Sequence, residues 1–146
     1  MILVTGGTGF VGRNIVRKLV QEEKQKVRCL VRKGGRREVL EGLDVELAEG
    51  DITSPVTLAG AMKGIDVVIH IVGIIREIPP DVTFEKIHAE GTANVVEAAK
   101  RAGVKKFVHM SAMGSRADTP GRYHTTKWAG EEAVRYWCDV GVTHLA

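Results

Sequence analysis

Met1-Ile-Leu-Val-Thr-Gly-Gly-Thr-Gly-Phe-Val-Gly12 runs a short apolar stretch straight into a glycine-rich turn, with Gly6, Gly9 and Gly12 spaced three apart. Ile2-Leu3-Val4 has the continuous apolar character of a parallel strand buried on both faces. Beyond the turn, Val11, Ile15, Leu19 and Val20 recur at helical spacing, which predicts a helix over residues 11–22. Strand, turn and helix in this order read as a dinucleotide cradle. One glycine permits the tight turn, a second lets backbone approach a pyrophosphate, and a third lets the helix pack closely on the strand. The helix then aims its free N–H groups and positive dipole end at the phosphates. The alternative is a merely structural strand-to-helix turn. A Walker loop does not fit: Gly7 and Gly12 have its separation, but Arg13-Asn14 follow in place of Lys and Ser or Thr.

Working outward, residues 26–31 read as a second strand, followed by the basic loop Arg32-Lys33-Gly34-Gly35-Arg36-Arg37 and a third strand over 45–49. Gly50-Asp51-Ile52-Thr53 makes a turn, 56–63 a short helix, and 66–72 an almost wholly apolar fourth strand. Ile78-Pro79-Pro80 interrupts regular structure before a long amphipathic helix over 83–102, whose Ile87, Val95, Val96 and Ala99 face inward and which Gly103 ends. Residues 106–110 form a fifth strand and 111–120 a polar loop. A helix over 123–136 then packs through Ala129, Ala133 and Val134, and 142–145 begins a sixth strand. This alternation predicts an α/β, doubly wound parallel sheet of order 3-2-1-4-5-6, the three-layer Rossmann arrangement, truncated in its sixth strand. No repeat or linker divides it. Residues 1–146 are expected to be one NAD(P)-binding domain, with the C-terminal substrate region absent.

Among 146 residues, 44% are hydrophobic and 27% charged, enough apolar material for a core and too much for a disordered chain. The formal charge of +3 raises the question of nucleic acid. The basic residues, however, lie mostly on helix faces and in one loop with few aromatics between them, so no nucleic-acid partner is expected. No run approaches the roughly 20 apolar residues of a membrane span. The first strand starts at Met1 with no leader before it, which predicts a cytoplasmic protein. Cys29 and Cys138 have neither metal nor disulfide spacing and read as packing residues in a reducing compartment. His70 and His109 lie in apolar strands as core residues, and His88 and His124 read as surface positions near the cleft. His144 is uninformative, and no metal site follows.

In dinucleotide sites an acidic residue about 20 positions past the glycines holds the adenosine ribose 2′-hydroxyl and favours NAD. This chain offers Arg32 there, with Lys33, Arg36 and Arg37 following, and Arg13 directly after the last glycine. Guanidinium forks match a 2′-phosphate in shape and charge, so NADP(H) is expected over NAD(H), against the alternative of a solvated basic loop. Asp51 would sit near the adenine, where its carboxylate or the next backbone N–H, that of Ile52, meets the base; an Asx turn is the compatible alternative. Tyr123-His124-Thr125-Thr126-Lys127 places a phenol and an ammonium at i and i+4 on one helix face, just after the fifth strand and its loop. The ammonium eases loss of the phenol proton, so the pair can exchange a proton with a carbonyl or alcohol while the lysine grips ribose hydroxyls.

Together the glycine cradle, Gly50-Asp51-Ile52, Asn94 within Gly91-Thr-Ala-Asn-Val95, and the Tyr-x-x-x-Lys pair resemble the short-chain dehydrogenase/reductase superfamily in its extended form, over almost the whole chain. Thr5-Gly-Gly-Thr-Gly-Phe-Val-Gly-Arg13, Gly73-Ile-Ile-Arg76 and Phe107-Val-His-Met-Ser-Ala112 resemble the atypical branch that contains the NADPH-binding accessory subunit of respiratory complex I and its bacterial homologues. The expected cofactor-binding set is Gly6, Gly9, Phe10, Val11, Gly12, Arg13, Arg32, Arg36, Asp51, Ile52, Val72, Gly73 and Lys127; the expected catalytic set is Tyr123, Lys127 and Ser111. The resemblance implies hydride transfer to or from a small carbonyl, alcohol or quinone-like substrate. The alternatives are a non-catalytic NADPH-binding module of a respiratory or other assembly and, third, a redox-sensing regulator; a protein assembly or homo-oligomer is the further partner considered. Two departures bear on the choice. Typical members hydrogen-bond the reacting oxygen with a Ser or Thr after the fifth strand; Ser111 comes early, Met113 stands at that place, and Ser115 lies beyond. The segment 136–146 also lacks the Arg-Pro turn that helps close the nicotinamide site.

Overall fold

Neighbouring side chains of the first strand enter different cores. Leu3 and Val4 are both fully buried, and they point to opposite faces because side chains alternate along a strand. The computed structural model describes residues 1–137 and 143–145. It places β1 (Ile2–Thr5), β2 (Val27–Val31), β3 (Val45–Glu49), β4 (Val67–His70), β5 (Lys106–Met110) and β6 (Thr143–Leu145) in one parallel sheet of order β3-β2-β1-β4-β5-β6. Ile2 stands level with Val27 on one side and Val67 on the other. The doubly wound α/β architecture read from the sequence is therefore the one observed.

Val4 joins Val27, Cys29, Val31 and Leu40 beneath α1 (Phe10–Arg17), which contributes Val16. Leu3 joins Leu30, Val68 and Phe107 beneath α2 (Leu58–Ala61), α3 (Gly91–Arg101) and α4 (Arg122–Trp137), which contribute Leu58, Val95 and Val134. Each fully buried aliphatic or aromatic side chain contributes about 1.5–3 kcal/mol, so both layers are anchored by the same period-2 pattern. The outer strand β3 exposes Glu46 and Glu49, and charge on an edge discourages pairing with another sheet.

Local departures from expectation have local causes. The fourth strand is shorter than 66–72 because the chain leaves the ladder after Ile71 N–H reaches the Thr5 carbonyl at 3.1 Å; residues 71–73 then line a groove. The first helix begins at Phe10 and winds as a π-helix over Lys18–Glu22. The third likewise opens with a π segment, Glu85–Glu90, and the expected helix at 56–63 is a 3-10 turn, Pro55–Thr57, leading into α2. A further 3-10 turn, Arg37–Leu40, forms after the basic loop. Val11 does not pack in the α1 core; it is 42% exposed and lines the groove. Ala129 is exposed rather than packed, since α4 turns Thr126, Lys127, Gly130, Glu131 and Val134 inward. That buried stripe is largely polar, which an apolar-pattern reading passes over. Cys29 is buried with its thiol pushed up to about 12 by burial, in keeping with a packing role. Cys138 and Val142 lie outside the described residues, and no described helix is long and apolar enough to cross a membrane.

Candidate functional site

A groove of about 690 Å³ follows the C-terminal ends of the strands, from Arg32, Arg36 and Asp51 beyond β2 and β3 to Gly73 and Met110 beyond β4 and β5. Gly6, Gly9, Phe10, Val11, Gly12, Ile52 and Val72 line it between. Gly6 has φ +78°, and a Cβ on Gly12 would lie 2.0 Å from the Gly6 carbonyl oxygen, so helix α1 can start this close to the turn only without a side chain there. Gly9 caps α1 without a side-chain bond, which leaves the first-turn N–H groups facing the groove for an anion. Asp51 forms the Asx turn, its carboxylate accepting from Thr53 N–H and Thr53 Oγ1, each at 2.8 Å, and the residue also lines the groove. Asn94 donates to the Ile52 carbonyl at 2.9 Å and fixes that wall from α3.

The basic loop divides by pairing. Arg37 is tied to Glu49 on β3, whereas Arg32, Lys33 and Arg36 are exposed and form no ion pair among the described residues. Arg13 is not part of the groove lining; its guanidinium sits 5.4 Å from the centroid of the Phe10 ring at the groove's mouth.

At the β4–β5 end Lys127, His88 and Glu131 are buried and Tyr123 and Ser111 half-buried, and each packs on or bonds to a neighbouring segment. Lys127 is 4% exposed and donates to the Met110 carbonyl at 2.7 Å. Burial pushes its ammonium down to about 8, partly offset by Glu131 one turn further along α4. A Cβ on Gly73 would be 3.7 Å from both Lys127 Nζ and His88 Nε2, so both groups face the groove's Gly73 backbone. Tyr123 is half-buried, with its ring edge-on to His88 at 5.2 Å, Phe84 at 5.6 Å and His124 at 5.1 Å. Ser111 donates its hydroxyl proton to Glu131, whose other oxygen pairs with Arg135 at 3.1 Å. That proton is engaged, so Ser111 does not present a free donor to the groove, and Met113, 87% exposed, supplies none.

His88 is not the surface residue expected from the sequence: it is 1% exposed, because α4 packs directly over it. Burial, with the Lys127 charge nearby, holds its imidazole down at about 4. His70 is a core residue as read, bonded to Thr5 Oγ1 at 2.6 Å and Thr92 Oγ1 at 3.1 Å and stacked on His109 at 5.4 Å. His124 is half-buried. Glu131, Thr126 and His88 are thus the polar residues missed. The available signal was the spacing of Tyr123, Thr126, Lys127, Gly130 and Glu131 on one helix face.

Residues 6–139 match the model of the NAD(P)H-binding family, and the chain belongs to that family. It is 35% identical over 135 residues to a ceramide reductase of Caulobacter vibrioides, covering 92% of this chain and 42% of that protein. Among solved structures it is similar to the triphenylmethane reductase of Citrobacter sp. complexed with NADP(H), at 26% identity and TM-score 0.76, covering 98% of this chain and 47% of that one. It is equally similar to the Bordetella bronchiseptica enzyme WbmG in complex with NAD, at 26% identity and TM-score 0.76, covering 98% and 51%. The chain spans between about two fifths and one half of these relatives.

Proposed function

We propose that the chain is the dinucleotide-binding part of an NADP(H)-dependent oxidoreductase acting on a small carbonyl, alcohol or quinone-like compound. The observation that carries it is the alignment in one groove of free guanidinium groups at Arg32 and Arg36 with the glycine turn and, at the far end, the Gly73 backbone faced by Lys127. The residues fit the cofactor. Gly6, Gly9 and Gly12 leave room for a pyrophosphate, the α1 N-terminus and Arg32 and Arg36 supply positive charge for phosphates, and Asp51 and Ile52 flank the adenine. When bound, the reduced nicotinamide supplies the hydride. Lys127 holds ribose hydroxyls from its anchor on Met110, and Tyr123 holds the proton exchanged at the substrate oxygen.

A second reading is favoured by one observation: Ser111 gives its proton to Glu131 and Met113 stands where a donor is expected, so the set that stabilises a reacting oxygen is incomplete. On that reading the chain binds NADPH without turnover, as a structural or redox-sensing module of a larger assembly. Tyr123→Phe separates the two. The catalytic reading predicts loss of reductase activity by about a hundredfold or more with NADPH affinity nearly unchanged, since only the phenol proton is removed; unchanged turnover would sink the role of Tyr123.

A further inference from the structure

His88 links the exit from β4 to α4. Its Nε2 accepts the Ile74 N–H at 3.0 Å, one residue after Gly73 on the exit from β4. Its Nδ1 lies 3.1 Å from Thr126 Oγ1 on α4, between Tyr123 and Lys127 in sequence. Thr126 has a single hydroxyl proton, and that oxygen stands 2.7 Å from the Arg122 carbonyl and 3.0 Å from that of Tyr123. The proton therefore goes to the helix backbone, and toward His88 the hydroxyl accepts. Nδ1 must then carry the ring hydrogen and Nε2 the lone pair, which is what the Ile74 N–H requires. One neutral tautomer satisfies every partner. The ring plane is held as well, by Phe84 stacked at 5.4 Å and 18° and by Tyr123 edge-on at 90°.

We infer that His88 is a positioning residue, which holds the Gly73-Ile74 backbone in fixed relation to Tyr123 and Lys127 and so sets where the nicotinamide half of a dinucleotide can lie. The inference rests on the proposed function for its ligand. It touches no reacting atom; it acts through the β4 exit and α4. The Arg32 end of the groove lies across β1 from it, so the two ends should respond separately.

The test compares the wild-type chain with His88→Leu, which keeps bulk but loses the acceptor, and His88→Gln, whose side-chain carbonyl can accept the Ile74 N–H. NADPH is titrated by nicotinamide fluorescence and 2′,5′-ADP, which lacks the nicotinamide half, by calorimetry. His88→Leu should weaken NADPH about tenfold and 2′,5′-ADP less than about twofold, with His88→Gln regaining most of the loss. Equal weakening of both ligands, or a Gln variant as poor as Leu, would overturn the positioning role. A wild-type chain that binds neither ligand would defeat the proposed function instead. The positioning claim is then decided by hydrogen exchange at Ile74: about tenfold faster exchange in His88→Leu but not His88→Gln supports it, and equal rates in all three refute it.

Discussion

At the β1–β2 end of the groove the chain presents bare backbone and solvent-exposed guanidinium groups, whereas at the β4–β5 end it presents side chains buried against one another. Gly6, Gly9 and Gly12 act by what they lack, and Arg32 and Arg36 are exposed with no ion pair among the described residues. Lys127, Glu131, His88 and Ser111 instead are each hydrogen-bonded to a group on another segment of the chain. The first end is a shape and a field, tolerant of its surroundings and local in sequence. The second is a network in which every group fixes another, so its chemistry depends on packing between β5, α3 and α4.

Gly12→Ala should have the largest effect and strikes the end defined by shape. A Cβ 2.0 Å from the Gly6 carbonyl must push α1 off the turn, at a cost of about 3 kcal/mol, and abolish dinucleotide binding. Thermal melts should show a drop of roughly 10 °C. Gly60→Ala, with nothing within 4 Å of the new Cβ, should leave the melt unchanged or raise it slightly. A comparable loss in both variants would show that the turn has no special role.

Next comes charge. Arg32→Asp should weaken NADPH by about ten- to a hundredfold while changing NADH by less than about threefold, because only the former carries a 2′-phosphate. Equal losses for the two nucleotides, measured in the same buffer, would break the assignment of this end.

Titration should register mainly at the other end. Lys127, held down to about 8 by burial, is charged at neutral pH and loses its proton as pH rises through that value, so NADPH affinity should fall between about pH 8 and 9 while 2′,5′-ADP affinity stays level. His88 gives the complementary acid limb. Its folded value of about 4 lies below the ordinary 6.5, so between those values the unfolded chain binds more protons and stability falls as pH falls. The limit is on the order of 3 kcal/mol, and urea unfolding of His88→Gln should show a shallower slope over that window. Identical slopes would place the acid sensitivity elsewhere, His70 being the next group, since burial depresses it in the same direction.

Ser111→Ala should have the smallest effect. With its proton committed to Glu131, and Glu131 still paired to Arg135, turnover should change by less than about threefold. A loss near the hundredfold typical of a missing oxyanion donor would return Ser111 to the reacting centre.

The same contrast explains what could be read in the sequence. Three glycines at fixed spacing after an apolar strand, and an arginine where an acid is expected, are short-range patterns, and the strand order follows from the alternation of elements. The β4–β5 end yields only its Tyr123 and Lys127 spacing. His88 meets Ile74 and Thr126 across 14 and 38 residues, and Ser111 meets Glu131 across 20. Apolar periodicity, which located α3 correctly through Val95, Val96 and Ala99, misleads in α4 because that helix buries a polar stripe and exposes Ala129. The stacking of Arg13 on the Phe10 ring is a side-chain choice that no spacing rule contains.

The most direct test of the account is a calorimetric titration of the purified chain with NADPH and NADH side by side at fixed ionic strength, because contacts made by exposed arginines are screened by salt. The account predicts saturable binding with NADPH favoured by tenfold or more, on the order of a 2′-phosphate held by a guanidinium. Equal affinity for the two would contradict the role given to Arg32 and Arg36, and binding of neither would contradict the groove itself.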